Sequence, residues 1–140
     1  MISATLDSSV YVRALHFGGP AALIMAHARA GNIRIDISDL ILDEMLGVLR
    51  DKFQWNGHMI QDARGKLLSL GHHVSPTVTL NIVKEDPDDD RILEYAATAQ
   101  SDFIVSEDKD LLRIGQYGNT RIVAIGDFTK LALSQTKVRT

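Results

Sequence analysis

The feature that most constrains this chain is an alternation of short, β-compatible apolar runs with helical stretches, repeated from end to end. Ile2 to Leu6 is a mostly apolar run that stops at Asp7, and Ser8-Ser9 then start a helix. A second helix follows Gly18-Gly19-Pro20, with Ala21, Ala22, Ile24, Met25 and Ala28 at helical spacing until Gly31-Asn32 closes it. Ile33, Ile35 and Ile37 alternate with Arg34 and Asp36 as a strand, and Ser38 N-caps a helix running to about Lys52 with Ile41, Met45, Val48 and Leu49 on its apolar face.

A further helix is predicted from Met59 to Leu70, then a β-branched stretch from Val74 to Val83 that Pro76 interrupts, leaving a strand in its second half. Asp86-Pro87-Asp88-Asp89-Asp90 reads as an acid-rich helix start before the core-facing Ile92, Leu93, Ala96 and Ala97. Phe103 to Val105 is a short buried strand, Ser106 to Asp110 a polar link before Leu111-Leu112, and Arg121 to Ile125 a last strand. Such alternation predicts an α/β fold, a mainly parallel sheet with helices on both faces.

A chain of 140 residues closes one core, so residues 1–140 are expected to form a single domain. Cysteine is absent, which excludes disulfides and thiolate metal sites and favours a cytoplasmic setting. The opening MISATLDSSV lacks the basic and apolar regions of a signal peptide, and no apolar run approaches the roughly 18 residues of a membrane span, so a soluble protein with no membrane partner is expected. The net charge of −3 is the wrong sign for holding nucleic acid by bulk phosphate neutralisation, though a cluster of metal-binding carboxylates would itself contribute negative charge.

In open α/β sheets the functional crevice lies beyond the carboxyl ends of the strands. Asp7 follows the first strand, Asp108 stands just past the strand ending at Val105, and Asp89 and Asp90 lie at a helix start. Glu44 is different, because Leu40 and Val48 place it within a helix beside the face expected to be buried, where a carboxylate is costly unless paired or bound to metal. Gly47, one turn on, leaves room for a group or an ion to approach. Carboxylates so gathered suit Mg²⁺ or Mn²⁺, hard cations that combine one or two protein oxygens with water and substrate phosphate.

Four segments in order, LDSSVYVRAL, SDLILDEMLGVLRDKF, DPDDDRILEYA and SDFIVSEDKDLL, together resemble the PIN-domain family, in particular the branch found as toxins of bacterial toxin-antitoxin pairs. The resemblance implies a three-layer α/β/α sandwich, dependence on Mg²⁺ or Mn²⁺, and hydrolysis of single-stranded RNA. It also implies a cognate antitoxin protein as inhibitor, and a homodimer. Carried over by motif, Asp7 is the first acid, Glu44 the helix acid and Asp108 the acid after the strand; the third is Asp90 by its ungapped spacing to Asp108 or Asp89 by the DPDD form of the segment. Ser8-Ser9 replace the Thr-Asn often found after the first acid, and Ser106 stands where threonine is frequent, so Ser8 and Ser106 are expected to orient metal-bound water or phosphate.

Each acid has a plainer reading beside this one. Asp88 to Asp90 would cap any helix, and a glutamate such as Glu44 is commonly a solvated helix residue. Asp102, Glu107 and Asp110 are expected at the surface, with Asp110 near a second metal if there is one. The five histidines lack metal-ligand spacing, and His72-His73 adjoin a turn. Arg13 and Lys52 are candidates for substrate phosphate, and Phe53 and Trp55 for base stacking or helix packing. Two other functions fit an α/β chain of this kind. A non-catalytic binding module would keep the fold, and a dehalogenase-like phosphatase would want an acid two residues after Asp7, where Ser9 stands.

Overall fold

The structure is a computed structural model that describes residues 1–75 and 87–133, with side chains described for 1–75 and 91–132. Among the described residues five strands run parallel and one is antiparallel, in the order β3-β2-β1-β4-β6-β5: β1 (Ile2–Leu6), β2 (Ile33–Ile37), β3 (His72–His73), β4 (Phe103–Val105), β5 (Gln116–Tyr117) and β6 (Thr120–Val123). The helices are α1 (Ser8–Val12), α2 (Pro20–Arg29), α3 (Asp39–Phe53), α4 (Gly57–Leu70), α5 (Pro87–Ala99), α6 (Lys109–Ile114) and α7 (Ile125–Phe128). β1 is buried on both faces, Ala4 and Leu6 on one and Ser3 and Thr5 on the other, and Ile35, Ile37, Ile104 and Val105 are inside beside it, as a parallel sheet between helical layers requires.

The helices flank the sheet on both sides, and handedness explains why. From β1 the chain steps outward to β2 and then β3, whereas from β3 it returns past β1 to β4, and right-handed crossovers of opposite direction must lie on opposite faces. On one side α2 packs on β2, with α1 against α3 and α3 against α4; α5 packs on β1, β2 and β4. Beyond their carboxyl ends, β1 and β4 are therefore neighbours whose chains leave toward different faces, which opens a crevice at this switch point.

Local chemistry sets most boundaries where expected. Pro20 opens α2, Ser38 Oγ accepts the Ile41 N–H at 3.2 Å to cap α3, and Asn56 Oδ1 accepts the Met59 N–H at 2.9 Å, so α4 begins slightly earlier than its apolar pattern suggested. On α5, Tyr95 is buried where Ala97 was expected, because Tyr95 continues the stripe of Ile92 and Ala97 lies off it. The run after Asp108 is helical rather than a polar link, and Ile125 starts α7 instead of ending the last strand. At β3 the pairing depends on Gly71, where any Cβ would run into the Ile37 side chain. The strand expected in the second half of Val74 to Val83 falls in 76–86, outside the described residues. No described helix is long and apolar enough to cross a membrane.

Candidate active site

Asp7 ends β1 and begins α1, and both roles aim its carboxylate. Its backbone N–H donates to the Val105 carbonyl at 3.0 Å, tying the strand end to β4. As the N-cap of α1 it accepts the Ser8 N–H on Oδ1 at 2.8 Å, while Oδ2 accepts the Ser106 hydroxyl at 2.8 Å. Ser106 is fully buried just past β4, and its Oγ also accepts the Asp108 N–H at 3.0 Å. One hydroxyl thus sets the relation between the acids that follow two neighbouring strands. Asp108 itself caps α6, with Oδ1 accepting the Asp110 N–H at 2.8 Å.

On the other side of Asp7, the Ser8 hydroxyl donates to Glu44 Oε1 at 3.0 Å. Glu44 reaches this point because α1 packs on α3. It is not at the margin of a core as its neighbours in sequence implied: the residue is exposed, and the Ser8 hydroxyl is among the groups that hold it. The space beside Gly47 is open apart from the Arg50 guanidinium, 3.8 Å from a notional Cβ, but Gly47 does not line the cavity that Glu44 faces.

Asp7, Ser8, Glu44 and Asp108 line one cavity of about 400 Å³. Arg13 and Arg91 bring positive charge to its wall, and Glu107 and Tyr95 complete it. Burial pushes the Tyr95 phenol above its ordinary pKa; a hydrogen bond with Ser38 and the Arg91 charge oppose this and the Glu94 and Glu44 carboxylates add to it, and the net rise keeps the phenol protonated in the physiological range. Arg91 and Tyr95 were not singled out by sequence, and Glu107, expected at the surface, lines the cavity instead; only the fold of α5 and the turn after β4 brings them here. Lys52 does not line this cavity. Phe53 and Trp55 pack with His16, whose Nδ1 accepts the Trp55 indole N–H at 3.1 Å, so helix packing describes them.

The backbone of Asp89 and Asp90 forms the first turn of α5, directly before the cavity residues Arg91 and Ile92. Their side chains lie outside the described residues. Among the described residues no group of three or more histidine, aspartate or glutamate side chains is disposed to hold a metal ion. The donor chemistry nevertheless fits a hard divalent cation: the cavity offers carboxylate and hydroxyl oxygens, oriented by hydrogen bonds, and no thiolate or imidazole among the described residues that line it.

A family model described as "PIN domain" matches residues 3–110, which spans every residue of this site. Among solved structures, the chain is similar to one in the crystal structure of VapBC2 from Rickettsia felis bound to a DNA fragment from their promoter. The TM-score is 0.61 at 18% identity, covering 88% of this chain and 98% of that one. At that identity the likeness concerns the fold. No curated protein matches the chain.

Proposed function

This chain belongs to the PIN-domain family, and from that premise we propose that it is a divalent-metal-dependent endoribonuclease that hydrolyses single-stranded RNA, acting as the toxin of a toxin-antitoxin pair. The observation that carries the reading is the convergence of Asp7, Glu44 and Asp108 on one cavity, with Ser8 bonded to Asp7 through its N–H and to Glu44 through its hydroxyl, and the Ser106 hydroxyl bonded to the Asp7 carboxylate and the Asp108 N–H. A dehalogenase-like phosphatase has no support from this family, and a purely structural role does not explain why three carboxylates share one open cavity.

Asp7 and Asp108, with Asp89 or Asp90 from α5, would hold Mg²⁺ or Mn²⁺, and Glu44 would complete the set. The ion supplies Lewis acidity toward the phosphodiester and toward water. The chain's own contribution is orientation. Ser106 holds Asp7 and the Asp108 backbone in one relation, Ser8 holds Glu44, and Arg91 and Tyr95 offer donors to phosphate oxygens. In the reaction a water oxygen bonds to phosphorus as one P–O ester bond breaks. Glu44 would take a proton from the attacking water and later return it to solvent, and the departing oxygen would take its proton from a solvent water.

A protein antitoxin is the proposed inhibitor, and the similar VapBC2 structure motivates the pairing. Assembly as a homodimer in the cytoplasm completes the reading and is checked by light scattering of the purified protein. The test of function is cleavage of a mixed single-stranded RNA pool with Mg²⁺, Mn²⁺ or EDTA. Cleavage is expected only with a divalent ion and is expected to fall about a hundred-fold or more in Asp7→Asn and Glu44→Gln. Undiminished cleavage in Asp7→Asn would overturn the assignment, and absence of both cleavage and Mn²⁺ binding would favour a non-catalytic module.

A further inference from the structure

The acidic cavity does not end at its own wall. A second cavity of about 550 Å³ lies beside it, bounded by Phe17, Pro20, Ala21 and Ile125, and the two share Arg13 and Glu107. Glu107 is fixed at the junction, its Oε1 accepting the Ile125 N–H at 3.2 Å. Arg13 and Phe17 are the first and last residues of a single π-helical turn, closed by the Gly18 N–H donating to the Arg13 carbonyl at 2.8 Å, and both line the second cavity.

Two properties of these residues point to a ligand. Arg34, Arg50, Arg64 and Arg113 each pair with a carboxylate, yet Arg13 has no ion-pair or hydrogen-bond partner among the described residues although it borders an acid-lined cavity. Phe17 is 66% exposed, but edge-to-face contacts with Phe53 at 5.4 Å and His16 at 4.8 Å fix its plane. An uncommitted guanidinium one turn from an exposed, oriented ring is the pair of contacts by which proteins track a single strand, with charge on a phosphate and a ring under a base. Gly18 and Gly19, at φ +85 and +70 with nothing within 4 Å of a notional Cβ, leave the rim open to a sugar-phosphate chain.

We propose that this trough holds the nucleotide next to the scissile phosphate of a single-stranded RNA, with Arg13 on its phosphate and Phe17 stacked on its base; the inference rests on the nuclease reading above. The occupant is nucleic acid rather than protein because the trough shares its wall with the acidic cavity, so a strand placed for cleavage runs on into it. An unpaired base is required there, which makes the site selective for single strands over duplex.

Fluorescence anisotropy of a labelled random single-stranded RNA pool in EDTA reads binding with the chemistry switched off. Arg13→Ala is expected to weaken binding and to flatten the slope of log affinity against log salt by about 0.7, the value of one phosphate contact on a single strand. Phe17→Leu keeps apolar bulk against Phe53 and is expected to weaken binding about ten-fold with the slope unchanged. Both side chains are exposed, and urea midpoints equal to wild type certify the fold of the variants. Wild-type affinity in both variants, with cleavage still dependent on Asp7, overturns the trough and leaves the nuclease reading standing. Wild-type RNA affinity with lost inhibition by the antitoxin also overturns it and assigns the trough to a protein. A wild-type protein that neither binds nor cleaves single-stranded RNA overturns both readings.

Discussion

Two clusters of carboxylates and hydroxyls sit on the same sheet and could hardly differ more in surroundings. Around Asp36 on β2 the groups are sealed in. The residue is 2% exposed, Ser101 Oγ donates to Oδ2 at 2.5 Å, and Thr5 donates in turn to Ser101 at 2.7 Å. Arg34 Nε donates to Oδ1 at 2.8 Å, and His72 Nδ1 donates to the same oxygen at 3.1 Å. Around Asp7 the hydroxyls of Ser8 and Ser106 again set the geometry, but the acids face a cavity of about 400 Å³. A buried carboxylate is tolerated because a guanidinium and a full set of donors replace water. Carboxylates gathered without enclosure instead repel one another, a cost that a bound cation offsets. The first arrangement stabilises the fold; the second leaves its acids open to a ligand, as the proposed nuclease requires.

The sharpest way to break this contrast is to exchange its consequences. Asp7→Asn is expected to lose cleavage about a hundred-fold or more. Its urea midpoint should equal or exceed wild type, because the asparagine oxygen still caps α1 and one repelling charge is gone. Asp36→Ala is expected to do the opposite. It should cost about 2–4 kcal/mol of stability, the lower end because Arg34 keeps access to water, while folded protein retains its cleavage rate. A wild-type midpoint in Asp36→Ala would dissolve the distinction.

Smaller effects refine it. Ser106→Ala and Ser8→Ala remove orienting hydroxyls, and Mn²⁺ titration should show affinity reduced about 10- to 100-fold. The loss should be larger for Ser106, which touches both Asp7 and the Asp108 backbone. Equal affinities in wild type and Ser106→Ala would mean that the hydroxyl serves only packing.

The smallest effect concerns Tyr11, a buried residue whose hydroxyl has no hydrogen-bond partner among the described residues. Burial pushes its pKa far upward and the Asp36 charge adds to this. Because the folded value is raised, the unfolded chain ionises first, so stability is complete below pH about 10 and falls as pH rises beyond it. Tyr11→Phe should leave stability at neutral pH unchanged or raise it by about 1 kcal/mol, and should reduce the alkaline loss. Urea denaturation at neutral and alkaline pH reads both outcomes.

What was legible in the sequence was whatever depends on near neighbours. Asp7 behind an apolar strand, Ser38 before α3, Pro20 at the start of α2 and the apolar stripes of α3 and α5 each declare themselves within a few residues, since capping, proline geometry and helical periodicity are local forces. Short segments were illegible for the same reason. The two-residue β3 and β5 have too little pattern of their own and exist because Ile37 and Thr120 lie alongside to accept them.

Asp36 and Glu44 show the remaining boundary. Alternation along β2 sets Asp36 with the polar positions, yet it is buried, because β1 on one side and the turn carrying Ser101 close over it. Local pattern puts Glu44 against a core, yet it is exposed and turned to a cavity by a serine 36 positions away in the chain. The sequence by itself determined the alternating elements and placed acids at strand ends, because backbone preferences and apolar periodicity act over a turn or two. Only the tertiary structure decided which acids are enclosed and which face a shared cavity, because burial and charge pairing depend on residues that meet only when β1 and β4 lie side by side.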